Sequence, residues 1–367
     1  MLNEKHVYRA YSSDEHQKNA VYKYISTPYR QRLSRSCRYL GIMTSMQLDE
    51  LELKILFLLE SNADKSFRAI ADLARSEEHT VRRTYHRLVK NGIITGRSLY
   101  VDTMRLGYTD FALFFSLKSS NHKEQQSLIR SLTQSPLVRW VADVGGSFDY
   151  AVTFLSKSTQ EVRHFLDRIS QKHQDAFVGK QLALRTYMIR YPRRYLSPQT
   201  KGSDTFIMGA SENVLQIDEL DRNILNHLSR GDFQNDNEVA KELEVAPSTL
   251  TRRVASMREE GILLGDTHRV DSRKLGYNSY RVLITMKRLG ADLRQRVIKF
   301  CDKQLPVRIL VESFGSWDYE MELELLDNRA IKEFTAALHE AFPHDIEKLE
   351  VIPVFEHIVY KGFPVSA

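Results

Sequence analysis

Two cysteines, Cys37 and Cys301, stand in 367 residues. That number cannot supply a disulfide framework or a four-cysteine zinc site, and two isolated thiols fit a reducing cytosol, so a cytoplasmic location is expected. Long apolar runs are missing too. With no stretch of about 18 apolar residues, a membrane-spanning helix is excluded, and the first residues lack the apolar segment of a secretory signal. No phosphate-binding glycine loop, Ser-His-Asp arrangement or zinc-ligand spacing is visible, so no catalytic residue, no metal and no cofactor is expected, and the chain reads as a non-enzyme. What is present is ordinary globular composition, 42% hydrophobic and 27% charged, with length for two to four domains.

The strongest positive signal is a repeat at a fixed offset of 169 residues. "LDELELKIL" at 48–56 returns as "IDELDRNIL" at 217–225, and "NGIITG" at 91–96 returns as "EGILLG" at 260–265. "RLGY" at 105–108 returns as "KLGY" at 274–277, and "GSFDY" at 146–150 returns as "GSWDY" at 315–319. One register held over about a hundred residues points to a tandem duplication of a module large enough for one or two domains. The two cysteines and the histidines do not fall on equivalent positions, which argues against a metal or disulfide site inherited with the module.

The net charge of +6 is unevenly spread: residues 1–47 carry +5, 48–200 carry +7 and 201–367 carry −6. If the protein binds a polyanion, the first copy should supply most of the attraction. Residues 1–46 are rich in Tyr, Arg and Ser, show no sustained period, and are expected to form a basic, largely unstructured arm. The alternative is a working chain that begins at Met43 or Met46.

Each copy divides in two. Leu51, Ile55, Leu58 and Leu59 recur at helical spacing behind Asp49 as an N-cap. A second helix covers 67–74. Ser76 is expected to cap a third helix at 77–90, with Val81, Tyr85, Leu88 and Val89 inward and Gly92 as its stop. "IITGRSLYVD" is expected to form two strands around Gly96, the shape of a wing. The second copy matches with Leu220, Ile224, Leu225 and Leu228, then Val239, Ala240 and Leu243, then Leu250, Val254 and Met257, with Pro247 at a first helical position. The remainder of each copy reads β-α-β-β-α-β, the ferredoxin-like order. The expected architecture is therefore α+β: a winged helix-turn-helix at 47–103, a ferredoxin-like domain at 104–198, a linker at 199–215, a second winged helix-turn-helix at 216–272 and a second ferredoxin-like domain at 273–362. The apolar strands should pair the two ferredoxin-like parts, because their own helices can cover only one face.

In a helix-turn-helix the third helix supplies the outward face that enters the major groove. In the first copy that face shows His79, Thr80, Arg82, Arg83, His86, Arg87 and Lys90, with Arg97 of the wing suited to a phosphate. In the second it shows Ser248, Thr249, Thr251, Arg252 and Arg253, and Asp266 stands where the first copy has Arg97. Arginine is shaped for guanine edges and phosphates, so double-stranded DNA is the expected partner.

These residues resemble the Lrp/AsnC family, the leucine-responsive and asparagine-operon regulators. The likeness rests on "LDELELKIL", "TVRRTYHRLVKNGII", "VDTMRLGY" and "GSFDY", and on their repeats "IDELDRNIL", "STLTRRVASMREEGIL", "VDSRKLGY" and "GSWDY". It covers 47–198 and 216–361. It implies a sequence-specific transcriptional regulator that pairs and oligomerises through its ferredoxin-like domains. It also implies a small effector, commonly an amino acid, near the Gly-x-x-Asp turn: Gly146, Ser147 and Asp149 here, and Gly315, Ser316 and Asp318 in the second copy. The chain departs from the family in carrying both copies in one polypeptide.

Two other function classes remain open. Siroheme decarboxylase subunits resemble the same family and work as paired modules. Arg139 and Arg308 align between the copies, whereas Asp149 and Asp318 would repel a polyanionic tetrapyrrole. A co-regulator whose helix-turn-helix no longer reads DNA is the third class, and the acidic second copy suits it.

Overall fold

The computed structural model describes residues 47–117, 122–173, 177–200, 205–230 and 236–363. The basic arm, the alternative starts at Met43 and Met46, and Cys37 lie outside the described residues.

The first helical triple is α1 (Glu50–Glu60), α2 (Phe67–Ala74) and α3 (Glu78–Lys90). Asp49 caps α1 reciprocally: its carboxylate accepts the Glu52 amide at 2.8 Å, and the Glu52 carboxylate accepts the Asp49 amide at 3.0 Å. Ser76 does not cap α3. Arg75 turns left-handed at φ 55, and the Ser76 amide donates back to the Ala71 carbonyl at 3.0 Å, closing α2 instead. Val89, expected inward, is 42% exposed; Val81, Thr84 and Leu88 form the buried stripe. The second triple is α6 (Glu219–Arg230), α7 (Asp236–Glu242) and α8 (Pro247–Glu259), with Pro247 at the first helical position.

The wings differ from expectation. Ile94–Val101 is one continuous strand, β1, and Leu263–Val270 is another, β7. They pair antiparallel with each other, Arg97 opposite His268 and Leu99 opposite Asp266, into a ribbon shared by the two halves. Gly96 makes no turn. Its missing side chain admits the Arg269 guanidinium, which would lie 2.6 Å from a Cβ there. β1 packs on α6 of the second half, and β7 packs on α1 of the first. Leu99 and Val101 thereby join Ile224, Leu225 and Leu250 in the second helical core.

The rest of the first half is β2 (Thr109–Ser116), α4 (His122–Gln134), β3 (Val138–Val144), β4 (Tyr150–Ser156), α5 (Thr159–Lys172) and β5 (Val178–Arg190). The second half gives β8 (Asn278–Met286), α9 (Ala291–Lys303), β9 (Val307–Gly315), β10 (Tyr319–Leu325), α10 (Asn328–Ala341) and β11 (Ile346–Tyr360). The expected linker holds a short strand, β6 (Phe206–Met208), which pairs with β5 and sets Phe206 against Tyr100, ring centres 4.7 Å apart. Burying its apolar triplet is the reason it is not free chain.

The strands run β2-β4-β3-β11-β8-β10-β9-β5-β6, and β2 also pairs with β5. That last ladder closes eight strands into a barrel built from both halves, leaving β6 outside. Outward residues such as Phe111, Leu113 and Phe115 pack under Leu128 and Leu132 of α4 and Phe165 of α5. The interior has two ends. Phe114, Trp140, Leu283, Phe148 and Trp317 fill one. The other is charged, with Asp110, Arg185, Arg281, Glu320 and Glu322 all buried. Among the described residues, no helix is long and apolar enough to cross a membrane.

Candidate nucleic-acid interface and the charged end of the barrel

Helix α3 follows its turn as the second helix of a helix-turn-helix, and its basic side chains face solvent. His79, Arg82, Arg83, His86, Arg87 and Lys90 are exposed and Thr80 is half-buried. Several are already engaged. Arg82 donates to Glu78 at 2.8 Å and lies 5.1 Å over the Phe67 ring. Arg87 pairs with Glu52, and His79 lies 3.0 Å from Glu77. Arg83, His86 and Lys90 have no ion pair among the described residues. Arg97, expected on a phosphate, is half-buried and lies 3.4 Å from Asp266, its own counterpart in the repeat. The shared ribbon brings these two equivalent positions together, which pairing within each half would not have done.

The second face is thinner. On α8, Ser248, Thr251 and Arg252 are exposed, Thr249 and Arg253 half-buried. Thr251 donates to the Pro247 carbonyl at 3.0 Å. Arg253 is held by Asp218 at 2.7 Å and Asp221 at 3.3 Å, at the start of α6. It braces the helical triple, and among the described residues Arg252 has no ion pair.

The two glycine turns close the apolar end of the barrel. Asp149 accepts the Leu117 amide and Asp318 the Met286 amide, both at 2.7 Å. Gly146 takes φ 80 and Gly315 φ 133, backbone that favours glycine. Ser316 bonds both backbone groups of Leu182 at 3.1 Å, while the Ser147 carbonyl accepts the Ser116 hydroxyl. Gly146, Ser147, Gly315 and Ser316 are exposed. Phe148 and Trp317 meet inside the barrel around Phe114.

The opposite end holds a buried ionic cluster that ties α1 to the barrel. Arg193 pairs with Glu60 at the end of α1 and forks onto Glu324 with two bonds of 2.8 Å. Arg308 donates to Glu60 at 2.7 Å, and Tyr195 and Ser272 donate to Glu324. Burial opposes the Glu324 charge, but Arg193 and Arg308 outweigh it and hold the carboxyl at about 2. Burial also keeps His268 neutral, from the usual 6.5 down to about 4.

The two groups act in the same direction. His268 contributes stability above pH 6.5 that is lost as pH falls toward 4, because the unfolded imidazole takes a proton first. Glu324 contributes stability above 4.5 that is lost as pH falls toward 2. Urea unfolding across pH 6.5 to 4 is expected to show falling stability, with the slope flattened in His268→Gln; an unchanged slope in that variant would assign the loss elsewhere.

Beside the cluster lies a cavity of about 450 Å³, walled by the barrel interior and roofed by the ribbon. Arg139, Arg185, Arg190, Arg269 and Arg281 line it with Tyr100, Trp140, His268 and His357. Of these only Arg139 stood out in the sequence. The missed signal is alternation of opposite charges on facing strands: Glu320, Glu322 and Glu324 on β10, with Arg281 of β8 directly opposite Glu322. Among the described residues, no His/Cys/Asp/Glu group could hold a metal ion.

With the geometry in place, the likenesses to known proteins follow. The family described as winged helix-turn-helix DNA-binding matches residues 217–263, the span of α6 to the start of β7. The chain is 31% identical to the HTH-type transcriptional regulator Ptr1 of Methanocaldococcus jannaschii over 120 residues, 32% of this chain and 79% of that protein. The chain belongs to the HTH-type transcriptional regulators. This regulator is also 27% identical to the HTH-type transcriptional regulator FL11 of Pyrococcus horikoshii over 123 residues, 33% of this chain and 80% of that one. Over both halves it shares the fold of the siroheme decarboxylase NirDL, with a TM-score of 0.56 and 12% identity, covering 87% of this chain and 95% of that chain.

Proposed function

We propose that the chain is a sequence-specific DNA-binding transcriptional regulator of the Lrp/AsnC type, with two modules related by tandem duplication in one polypeptide. The observation that carries this reading is α3, a second helix-turn-helix element whose Arg83, His86 and Lys90 face solvent with no ion pair among the described residues. The two helical triples, the two ferredoxin-like parts and the segment between them support the division of residues 47–362 given above; the arm at 1–46 is part of the proposal. Further self-association through the barrel exterior, in the cytoplasm, belongs to the same reading. Genome-wide mapping of binding sites, followed by gel-shift titration on the strongest site, tests it; binding that does not discriminate that site from unrelated duplex would remove sequence specificity.

An amino-acid effector at the glycine turns is the finer part of the proposal. The exposed Gly146, Ser147, Gly315 and Ser316 support it, since backbone amides in such turns suit a carboxylate. A thermal-shift screen of the twenty amino acids is expected to find one that stabilises the protein, by about 2.7 kcal/mol at a hundredfold excess over Kd. Asp149→Ala combined with Asp318→Ala is expected to abolish the shift. If no amino acid acts, the turns are structural only.

One observation favours a second reading. The arginine- and histidine-walled cavity sits in a fold shared with NirDL, which has been solved in co-complex with an iron-uroporphyrin III analogue. Asp149 and Asp318 do not line it; the carboxylates that do, Asp110, Asp271, Glu322 and Glu324, are each paired with an arginine. On this reading a tetrapyrrole added to the protein changes its Soret absorption; no change removes the reading.

A further inference from the structure

We propose that the cavity beneath the ribbon is a binding site for a small organic di- or tricarboxylate, bridged between Arg190 of the barrel and Arg269 of the ribbon. The site is separate from the DNA-reading face and does not depend on it.

The first ground is unspent charge. The other cations of this end have carboxylate partners: Arg185 lies 2.7 Å from Glu320, Arg281 lies 2.6 Å from Glu322, and Arg193 lies 2.8 Å from Glu324. Arg190 and Arg269 have no ion pair among the described residues, and both are half-buried. An arginine cannot shed its proton, so a half-buried guanidinium without an ion-paired carboxylate is open to an incoming anion. Arg190 lies against the Tyr100 ring, 4.6 Å from its guanidinium carbon, and feels the more distant charge of Glu322, which Arg281 already pairs. Two such cations on one cavity are what an incoming dianion would neutralise.

The second ground is shape and wall chemistry. The volume, about 450 Å³, lies within the range of metabolite sites. Met188, Met208 and Ile309 offer apolar wall for a short carbon skeleton. Tyr100 and Trp140 supply flat faces, the latter already stacked by Arg281 at 4.7 Å. Guanidinium forks match planar carboxylates bidentately. Phosphate sites commonly use helix N-termini and glycine loops; the named walls here are strand side chains, which favours the carboxylate. One guanidinium comes from each side, and a ligand with more than one carboxylate can give each its own bidentate partner.

Citrate is the probe. Thermal melting of the full chain, in citrate and in sodium chloride of equal ionic strength, is expected to show a saturable rise with citrate alone. Arg190→Gln and Arg269→Gln, made separately, are each expected to weaken citrate binding on the order of thirtyfold, as loss of one partner of a buried charge pair does. Arg190→Lys, which keeps the charge but not the fork, is expected to retain part of the citrate shift, whereas a merely structural arginine would leave the shift unchanged in every variant. Equal shifts in citrate and chloride, or a citrate shift retained in both variants, would overturn the site. Inorganic phosphate acting as strongly as citrate would overturn the carboxylate assignment.

Discussion

Replacing Arg193 by alanine is expected to destabilise the protein by about 3–5 kcal/mol, the cost of breaking a buried ion pair from one side. Arg193 is 6% exposed and bridges two carboxylates of similar burial, Glu60 and Glu324. With its guanidinium gone, Glu60 keeps Arg308 and the residue-193 amide, and Glu324 keeps Arg308 at 3.5 Å with two hydroxyl donors. The repeat supplies a comparison. The positions equivalent to Glu60, Arg193 and Glu324 are Ser229, Gly362 and Leu155, and there Gly362 packs directly against Ser229. The second half thus makes the same junction without the two glutamates, Arg139 donating to the Gly362 carbonyl at 3.1 Å instead, so the loss should be confined to the first. Urea unfolding measures the size, and hydrogen exchange should show α1 to α3 losing protection before α6 to α8. A loss below about 1 kcal/mol, typical of an exposed pair, would show that the cluster does not hold the junction.

Alanine at Arg83 is expected to weaken binding to a mapped duplex by about 1–3 kcal/mol if it reads a base edge. Arg82→Ala should cost less, because its guanidinium is shared with Glu78 and the Phe67 ring. Arg252→Ala on the second face should also cost less, since the acidic second half attracts DNA more weakly. Arg253→Ala should act chiefly on stability by freeing Asp218 and Asp221. Gel-shift titrations at two salt concentrations separate these effects, because a lost phosphate contact reduces the salt slope and a lost base contact relaxes specificity. Equal losses at Arg83 and Arg252 would end the claim that the first half dominates.

Local chemistry made most elements legible. Asp49 with Glu52, Pro247, and glycines at 92 and 261 mark helix ends through interactions that span a few residues. The ribbon was not legible, because whether β1 pairs with a neighbour or with a strand 169 residues away depends on the closure of the whole molecule. The charged end of the barrel was hidden for a related reason. Alternation such as "YEMELEL" ordinarily marks a strand with one wet face, whereas here the Glu320, Glu322 and Glu324 side turns into a closed barrel. Arg190 and Arg269 carry no local signature at all; they come to line one cavity only when the ribbon roofs the barrel.

The crossed strands also bear on concentration. A regulator that pairs as separate subunits must first find its twin, and its occupancy of DNA falls steeply on dilution. Here Leu99 and Val101 of one half complete the core of the other within a single molecule, so the pairing is intramolecular and independent of how many copies a cell holds. Occupancy should therefore scale in simple proportion to protein amount as far as this pairing is concerned. The same tether lets the two halves diverge, since a surface change in one is never forced on the other by symmetry.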